Sequence, residues 1–171
     1  MDHQVLSAGR RDIGVAASIY FHHMVLMAAE MIGILMRWAH IASAVVLIGG
    51  ILYARAVAFP ALANAGEDDG PGPLFERLTL RYRPMVYAAI AGLVVSGLYN
   101  FLIHRGHTRY FYTWFGIKIL LALHVFAASI LAVRPSEATP QEETRRLRRM
   151  TGVVVSGLLI ILISAYLRRI Y

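Results

Sequence analysis

Four long apolar stretches constrain the fold of this chain more than any other sequence feature. A helix needs roughly 20 apolar residues to cross the hydrocarbon core of a bilayer. Only helices and closed barrels satisfy their backbone polar groups there. With 58% hydrophobic and 16% charged residues, the chain is too apolar for an ordinary soluble domain. We therefore predict an integral membrane protein surrounded by lipid, with spans at about 37–59, 85–103, 113–133 and 150–167.

The positions of the prolines agree with these four spans. All six lie outside the spans or at their edges: Pro60, Pro71, Pro73, Pro84, Pro135 and Pro140. Proline suits the first turn of a helix, so Pro84 predicts the start of the second helix. Residues 65–73, rich in glycine, proline and acidic side chains, predict a loop. Short connections favour an all-α, up-and-down bundle of four helices.

The first 36 residues predict an additional N-terminal amphipathic helix. At about 100° per residue, its polar side chains form one broad stripe, whereas the methionines lie on the other side. The stripe consists of Ser18, His22, His23, Glu30 and Arg37, and the methionines are Met24, Met27 and Met31. We expect an interfacial or bundle-covering segment, 1–36, with a bend near Gly33, followed by a transmembrane domain, 37–171. Met36 is a second candidate for the natural start of the protein.

The charge distribution favours membrane headgroups over nucleic acid as the partner of the basic residues. The net charge is +7, with 17 lysine and arginine residues, and most arginines flank the apolar stretches. The dense arginine cluster at 145–149 favours a cytoplasmic location for the connections after the first and third spans. The absence of cysteine excludes disulfides and thiolate metal sites.

Three ionisable residues are predicted at membrane depth, where their cost usually marks a site. They are His40 in the first span and Lys118 and His124 in the third. The first and third spans run in the same direction, so His40 and Lys118 lie at similar heights. His124 lies about 9 Å deeper and is turned about 120° away from Lys118.

Each of these residues also has a simpler explanation. His40 could hydrogen-bond a neighbouring helix or lie among headgroups, and Lys118 could extend its amine to the interface. His124 could bridge helices through Ser43 or Ser96. Histidines inside a helical bundle nevertheless indicate haem, because imidazole is a usual axial ligand.

Parts of the chain resemble a known family. The segment 36–50, from Met-Arg-Trp-Ala-His to Gly-Gly, resembles the opening helix of the copper-resistance D (CopD)-like membrane proteins and of the related HemJ-type membrane protoporphyrinogen oxidases. The third span, from Trp114 through Lys118 to His124, is similar as well. So is the approach at 74–78 to a second helix led by Pro84. The resemblance covers about 36–171.

This resemblance implies a haem b-binding redox protein of the bacterial plasma (inner) membrane. His40 corresponds to the axial histidine, and Lys118 to the lysine of the third helix in the haem-binding branch. His124 would ligate a second haem or replace Lys118. The expected partner is a quinone or a porphyrin-type substrate, and the protein would form a homo-oligomer or join a larger membrane complex. The N-terminal extension and the acidic, glycine-rich loop after Pro60 depart from the protoporphyrinogen-oxidising branch.

Two alternative functions stay open. Thioethers and imidazoles suit copper(I), and Met24, Met27 and Met31 occur near His22 and His23, although methionines at this spacing also form an ordinary apolar face. A cofactor-free accessory subunit would tolerate alanine at His40, Lys118 and His124. His104 and His107 predict a solvated loop. The sequence contains no hydrolase triad or phosphate-binding glycine loop at a convincing spacing.

Overall fold

The computed structural model describes residues 3–65, 72–103, 109–135 and 139–170. The first helical run comprises α1 (His3–Ala44), a π-helical segment π1 (Val45–Gly49), α2 (Gly50–Tyr53), a second π-helical segment π2 (Ala54–Ala58) and α3 (Phe59–Ala65). Three further helices follow: α4 (Gly72–Ile103), α5 (Arg109–Ala132) and α6 (Pro140–Ile170). The described residues contain no strand, which confirms the all-α class.

Within the described part of the chain, four helical segments are long and apolar enough to cross a membrane: Tyr20–Leu62, Leu74–Ile103, Tyr112–Ala132 and Gln141–Leu167. Many large apolar side chains on these segments are exposed, as expected for surfaces that face lipid. The first segment has 43 residues, about 65 Å at 1.5 Å per residue, so only part of it fits within a hydrocarbon core about 30 Å thick. The protein is a multi-pass membrane protein.

The chain divides into two compact units, Met1–Trp38 and Ala39–Tyr171. The first unit is helical from His3 onwards, and its described apolar side chains from Tyr20 to Leu35 are largely exposed. Helix α1 continues without interruption through Gly33, where a bend is expected from the sequence. A single glycine costs a helix only about 1 kcal/mol, and no proline lies nearby to break the hydrogen-bond pattern.

The core of the second unit is built from all four helical runs. Its buried hydrophobic side chains include Leu47, Ile51, Phe75, Val86, Val125, Met150 and Val153. Small residues let the helices approach closely: Ile48 of π1 packs against Gly157 of α6, and Ser43 of α1 packs against Gly92 of α4. Packing against small residues is a usual way for membrane helices to associate.

Contacts between neighbouring helices show their antiparallel order. Ser43 meets Gly92, whereas His40, earlier in α1, meets Ser96, later in α4. On α5 and α6, Trp114 packs against Tyr166, and Arg146 donates to the carbonyl oxygen of Arg134. The helices therefore alternate in direction, as an up-and-down bundle requires.

Pro84 does not start the second transmembrane helix, contrary to the sequence prediction. Helix α4 begins at Gly72, and Pro84 lies inside it. Pro73 occupies the first turn instead, where its missing N–H costs nothing. Interior proline is tolerated in membrane helices because neighbouring groups compensate for the lost backbone hydrogen bond. Of the predicted loop 65–73, residues 66–71 lie outside the described part of the chain.

Candidate cofactor site

His40 lies where the end of α1 packs against α4. Its Nδ1 is 2.9 Å from the Ser96 hydroxyl oxygen, and the imidazole is half-buried. A Cβ atom on Gly97 would stand 3.4 Å from His40 Cε1, so the glycine leaves just enough room for the ring. The simple explanation that His40 hydrogen-bonds a neighbouring helix is therefore correct for one of its two nitrogens.

The partners of Ser96 determine which His40 nitrogen carries the proton. Ser96 is 1% exposed, and its hydroxyl donates to the Gly92 carbonyl oxygen at 2.5 Å. A hydroxyl has one proton, so with that proton on the Gly92 carbonyl oxygen it accepts toward His40, and Nδ1 is the donor in this arrangement. The Leu93 carbonyl, 3.5 Å from the same hydroxyl oxygen, also interacts with the ring and can only accept. The Nε2 lone pair of a neutral His40 therefore stays available for a ligand.

Lys118 on α5 is the second nitrogen donor near this imidazole. Its side chain is half-buried, and the amine is close enough to exert an electrostatic effect on His40. The stacked rings of Phe101 and Phe115, 4.7 Å apart, place α4 and α5 in register. Lys118 follows Phe115 by three residues, and Ser96 precedes Phe101 by five on a helix that runs in the opposite direction. At 1.5 Å per residue, Lys118 and Ser96 therefore lie within a few ångströms of the same height, and His40 is hydrogen-bonded to Ser96. The structure thus places His40 and Lys118 at similar heights, as the sequence predicted.

His124 lies apart from this pair and faces α6. Its Nε2 is 3.2 Å from the position that a Cβ atom on Gly152 would take, and the side chain is exposed on the lipid-facing surface. The expectation that His124 bridges helices through Ser96 is wrong, because Ser96 bonds His40. Ser43 packs against Gly92 of α4. The glycine at 152 leaves room for one edge of the imidazole against α6, and the rest of the ring stays exposed.

The residues of the alternative copper site all lie in the first unit. His22, His23, Met24, Met27 and Met31 are exposed on the uninterrupted α1. Adjacent residues such as His22 and His23 point about 100° apart on such a helix, so the two histidines do not face the same side as the methionines together. Among the described residues, no group of three or more His, Cys, Asp or Glu side chains could hold a metal ion. His104 and His107 lie outside the described residues.

The sequence alone did not predict the hydrogen bond between Ser96 and His40. A signal was present, because Gly92 and Ser96 form a small-xxx-small pattern that usually marks close helix contact. Reasoning from the sequence also missed Tyr82, whose hydroxyl donates to the Val46 carbonyl oxygen in π1. Carbonyl groups lose their regular partners at π-helical segments, and these segments frequently occur at functional sites. The period of the apolar pattern gives no indication of them.

Comparisons with known proteins add no relative. No protein-family model matches the chain, and searches of curated proteins and of solved structures find no match. The function of the protein must therefore be inferred from the geometry of the site and from the resemblance described above.

Proposed function

We propose that this protein binds haem b in the bilayer and acts in electron transfer or as an oxidoreductase. The observation that supports this most strongly is the hydrogen-bond chain from His40 through Ser96 to the Gly92 carbonyl oxygen. Histidines that bind metals usually donate their second ring N–H to such a partner, which fixes the ring and its tautomer. The hydrogen bonds of His40 already have the form that is usual for a metal-binding histidine.

The donor set around His40 fits a haem group. His40 would provide its Nε2 lone pair to the iron, and Lys118 provides a second nitrogen on the facing helix. Haem needs only one or two axial ligands from the protein, so a cluster of three or more ligating side chains is not required. A bound haem would supply one-electron chemistry, whereas the protein would supply the ligands and an apolar surrounding.

The resemblance to CopD-like and HemJ-type proteins supports the same function, because His40 and Lys118 match the residues that it singles out. In this proposal the protein lies in a bacterial plasma membrane and exchanges electrons with a membrane-soluble partner. His124 is not part of the site, because its imidazole packs toward Gly152 on α6.

The visible spectrum of detergent-purified protein tests this proposal. We expect sharp bands after dithionite reduction and a pyridine haemochrome of the b type. His40→Ala should abolish haem binding, and Lys118→Ala should shift or weaken the bands. His124→Ala is the matched control, since it removes an imidazole from the same bundle, and it should leave the spectrum unchanged.

Two results would contradict the proposal. A colourless protein that retains copper through purification would support the copper alternative. A haem spectrum that survives His40→Ala but disappears in His124→Ala would place the cofactor on the other side of α5.

A further inference from the structure

A second site lies toward the other end of the bundle, in a cavity between the first helical run and α4, α5 and α6. Its volume is about 210 Å³. The floor is formed by buried side chains, namely Ile51, Phe75, Thr79, Val133 and Met150. The rim carries Tyr53 and Leu78, which are 62% and 47% exposed. The cavity is thus closed inside the bundle and open toward the surface that faces lipid.

The size of the cavity limits its occupant to about one ring. A cavity of roughly 150 Å³ is enough for a benzene molecule, and sites for drug-sized ligands span about 300–1,000 Å³. One substituted six-membered ring therefore fits, whereas a tetrapyrrole does not. The surrounding side chains are predominantly apolar, so the ring itself must be apolar on its faces.

Two hydroxyl groups of the cavity, on Thr79 and Tyr82, can accept hydrogen bonds from a ligand, whereas the Tyr53 hydroxyl at the rim can also donate. The Thr79 hydroxyl donates to the Phe75 carbonyl oxygen at 2.7 Å, and the Tyr82 hydroxyl donates to the Val46 carbonyl oxygen. Each hydroxyl has only one proton, so both present free lone pairs to a ligand. At Thr79 and Tyr82, a ligand that carries O–H groups gains hydrogen bonds, and one that carries only carbonyl oxygens does not.

The cavity lies near the level of the headgroups. Arg77 and Arg81 are exposed on the same part of α4 that supplies Leu78, Thr79 and Tyr82. Arginines beside an apolar span usually lie at the membrane surface. A ligand in this position would keep its polar ring close to the interface and extend an aliphatic chain past Tyr53 and Leu78 into the lipid.

We propose that this cavity binds a lipophilic hydroquinone, with a ring hydroxyl donating to Thr79 or Tyr82. The reduced form is favoured over the quinone because only the reduced form carries O–H donors. Binding of a hydroquinone in this cavity requires no haem, so it can be tested independently of the function proposed above.

Binding of three probes to the full-length protein, measured anaerobically by calorimetry in one detergent, tests this proposal. The probes are decylubiquinol, decylubiquinone and the dimethyl ether of decylubiquinol, which share the tail and differ in their donors. We expect decylubiquinol to bind about fivefold or more tightly than the other two, the usual effect of one hydrogen bond. Thr79→Val, which keeps the side-chain shape, should reduce this preference.

Filling the cavity provides a second test. Ala54 and Ala58 line the cavity, so Ala54→Leu and Ala58→Leu should weaken decylubiquinol binding at least tenfold. Ala88→Leu on the exposed face of α4 is the matched control for these two variants. Tyr82→Phe, which removes the hydroxyl that accepts from the ligand, should reduce the preference for decylubiquinol, and Tyr87→Phe is its control. Both controls should bind decylubiquinol as the parent protein does.

Three outcomes would overturn the proposal. Equal binding of all three probes would indicate a groove for lipid acyl chains. Tighter binding of the quinone would indicate a donor in the site, and unchanged binding in Ala54→Leu and Ala58→Leu would locate the ligand elsewhere. A protein that binds decylubiquinol but shows no haem spectrum would refute the proposed function alone.

Discussion

The small side chain of Ser96 influences which ring nitrogen of His40 carries the proton. It is almost fully buried and uses its own proton on the Gly92 carbonyl oxygen. Without this hydroxyl, nothing in that contact would distinguish the two tautomers of a neutral imidazole. The serine therefore orients the ring and leaves Nε2 unprotonated, whatever ligand this nitrogen binds.

Replacing Ser96 tests this role directly. We expect Ser96→Ala to lower the share of the Nδ1-protonated tautomer of His40, because one of the ring's two hydrogen-bond acceptors is lost and only the Leu93 carbonyl remains. The ¹⁵N chemical shifts of histidine-labelled protein distinguish protonated from unprotonated ring nitrogens, and His40→Ala assigns the signals. The same variant should lower haem affinity about 10- to 100-fold, as is usual when a partner of a ligating histidine is removed.

Ser164→Ala is the control for Ser96→Ala. The Ser164 hydroxyl donates to the Ile160 carbonyl oxygen within its own helix at 2.7 Å. This variant removes the same atoms from a membrane helix but leaves His40 untouched. If both variants changed the histidine spectrum equally, the change would come from general loosening of the bundle rather than from the lost contact.

π1 and α6 pack closely because Gly157 on α6 has no side chain. A Cβ atom on Gly157 would stand 2.7 Å from Ile48 Cδ1 and 2.9 Å from Cγ1. Rotation about Cβ–Cγ1 can move Cδ1 away, but Cγ1 and the second branch, Cγ2 at 3.2 Å, are held because isoleucine is branched at Cβ and stiff about its first side-chain bond. The close approach of these two helical segments therefore requires glycine at position 157.

We expect Gly157→Ala to lower the free energy of unfolding by about 1–3 kcal/mol, the usual cost of overpacking a filled interior. Unfolding in mixed micelles with increasing SDS measures this change. Gly116→Ala is the matched control, since no atom lies within 4 Å of the position that a Cβ atom would take there. Because alanine is the better helix former, Gly116→Ala should leave stability unchanged or raise it by up to about 1 kcal/mol. Equal losses in both variants would refute the packing argument.

The sequence predicts the helices themselves better than their ends. Apolar length identifies all four spans, because burial in hydrocarbon sets a minimum length that no soluble helix needs. The start of α4 was misplaced because Pro84 satisfies the rule for a first turn although Pro73 is the residue that occupies it. The π-helical segments result from tertiary contacts such as the one between Tyr82 and Val46, and local sequence does not encode such contacts.

The candidate site could be predicted in part. The sequence predicted that His40 and Lys118 lie at similar heights in the membrane, because the helices alternate in direction and rise 1.5 Å per residue. The structure agrees with this prediction. The rotation of each helix about its own axis was not predictable, and this rotation decides that His40 rather than His124 reaches Ser96. The contacts of Gly97 with the His40 ring and of Gly152 with the His124 ring follow from these rotations, which depend on tertiary packing.

The distribution of arginine predicts the orientation of the bundle. The end that contains the start of α6 carries Arg145, Arg146, Arg148 and Arg149, so we expect this end in the cytoplasm. The chain has no cysteine, so a single introduced cysteine is the only reactive thiol. In intact spheroplasts, a membrane-impermeant maleimide should label Tyr112→Cys and should label Gln141→Cys only after permeabilisation. Both positions are exposed. The reverse pattern would invert the predicted orientation.

The two units of the chain lead to a prediction that also separates the haem and copper alternatives. The buried hydrophobic cluster begins at Leu47, and His40, Ser96 and Lys118 all belong to the unit Ala39–Tyr171. A chain of residues 36–171 should therefore keep its free energy of unfolding within about 0.5 kcal/mol, as expected for changes outside the core. Its haem spectrum should be unchanged.

The same truncation removes every candidate copper ligand, His22, His23, Met24, Met27 and Met31. If the first unit binds copper, the metal content after purification should fall to background in the shortened chain but not in a full-length His40→Ala variant. If haem at His40 is the cofactor, the two variants behave in the opposite way. Iron and copper measured on both proteins thus assign the cofactor to one unit of the chain, because each variant removes the donors of only one hypothesis.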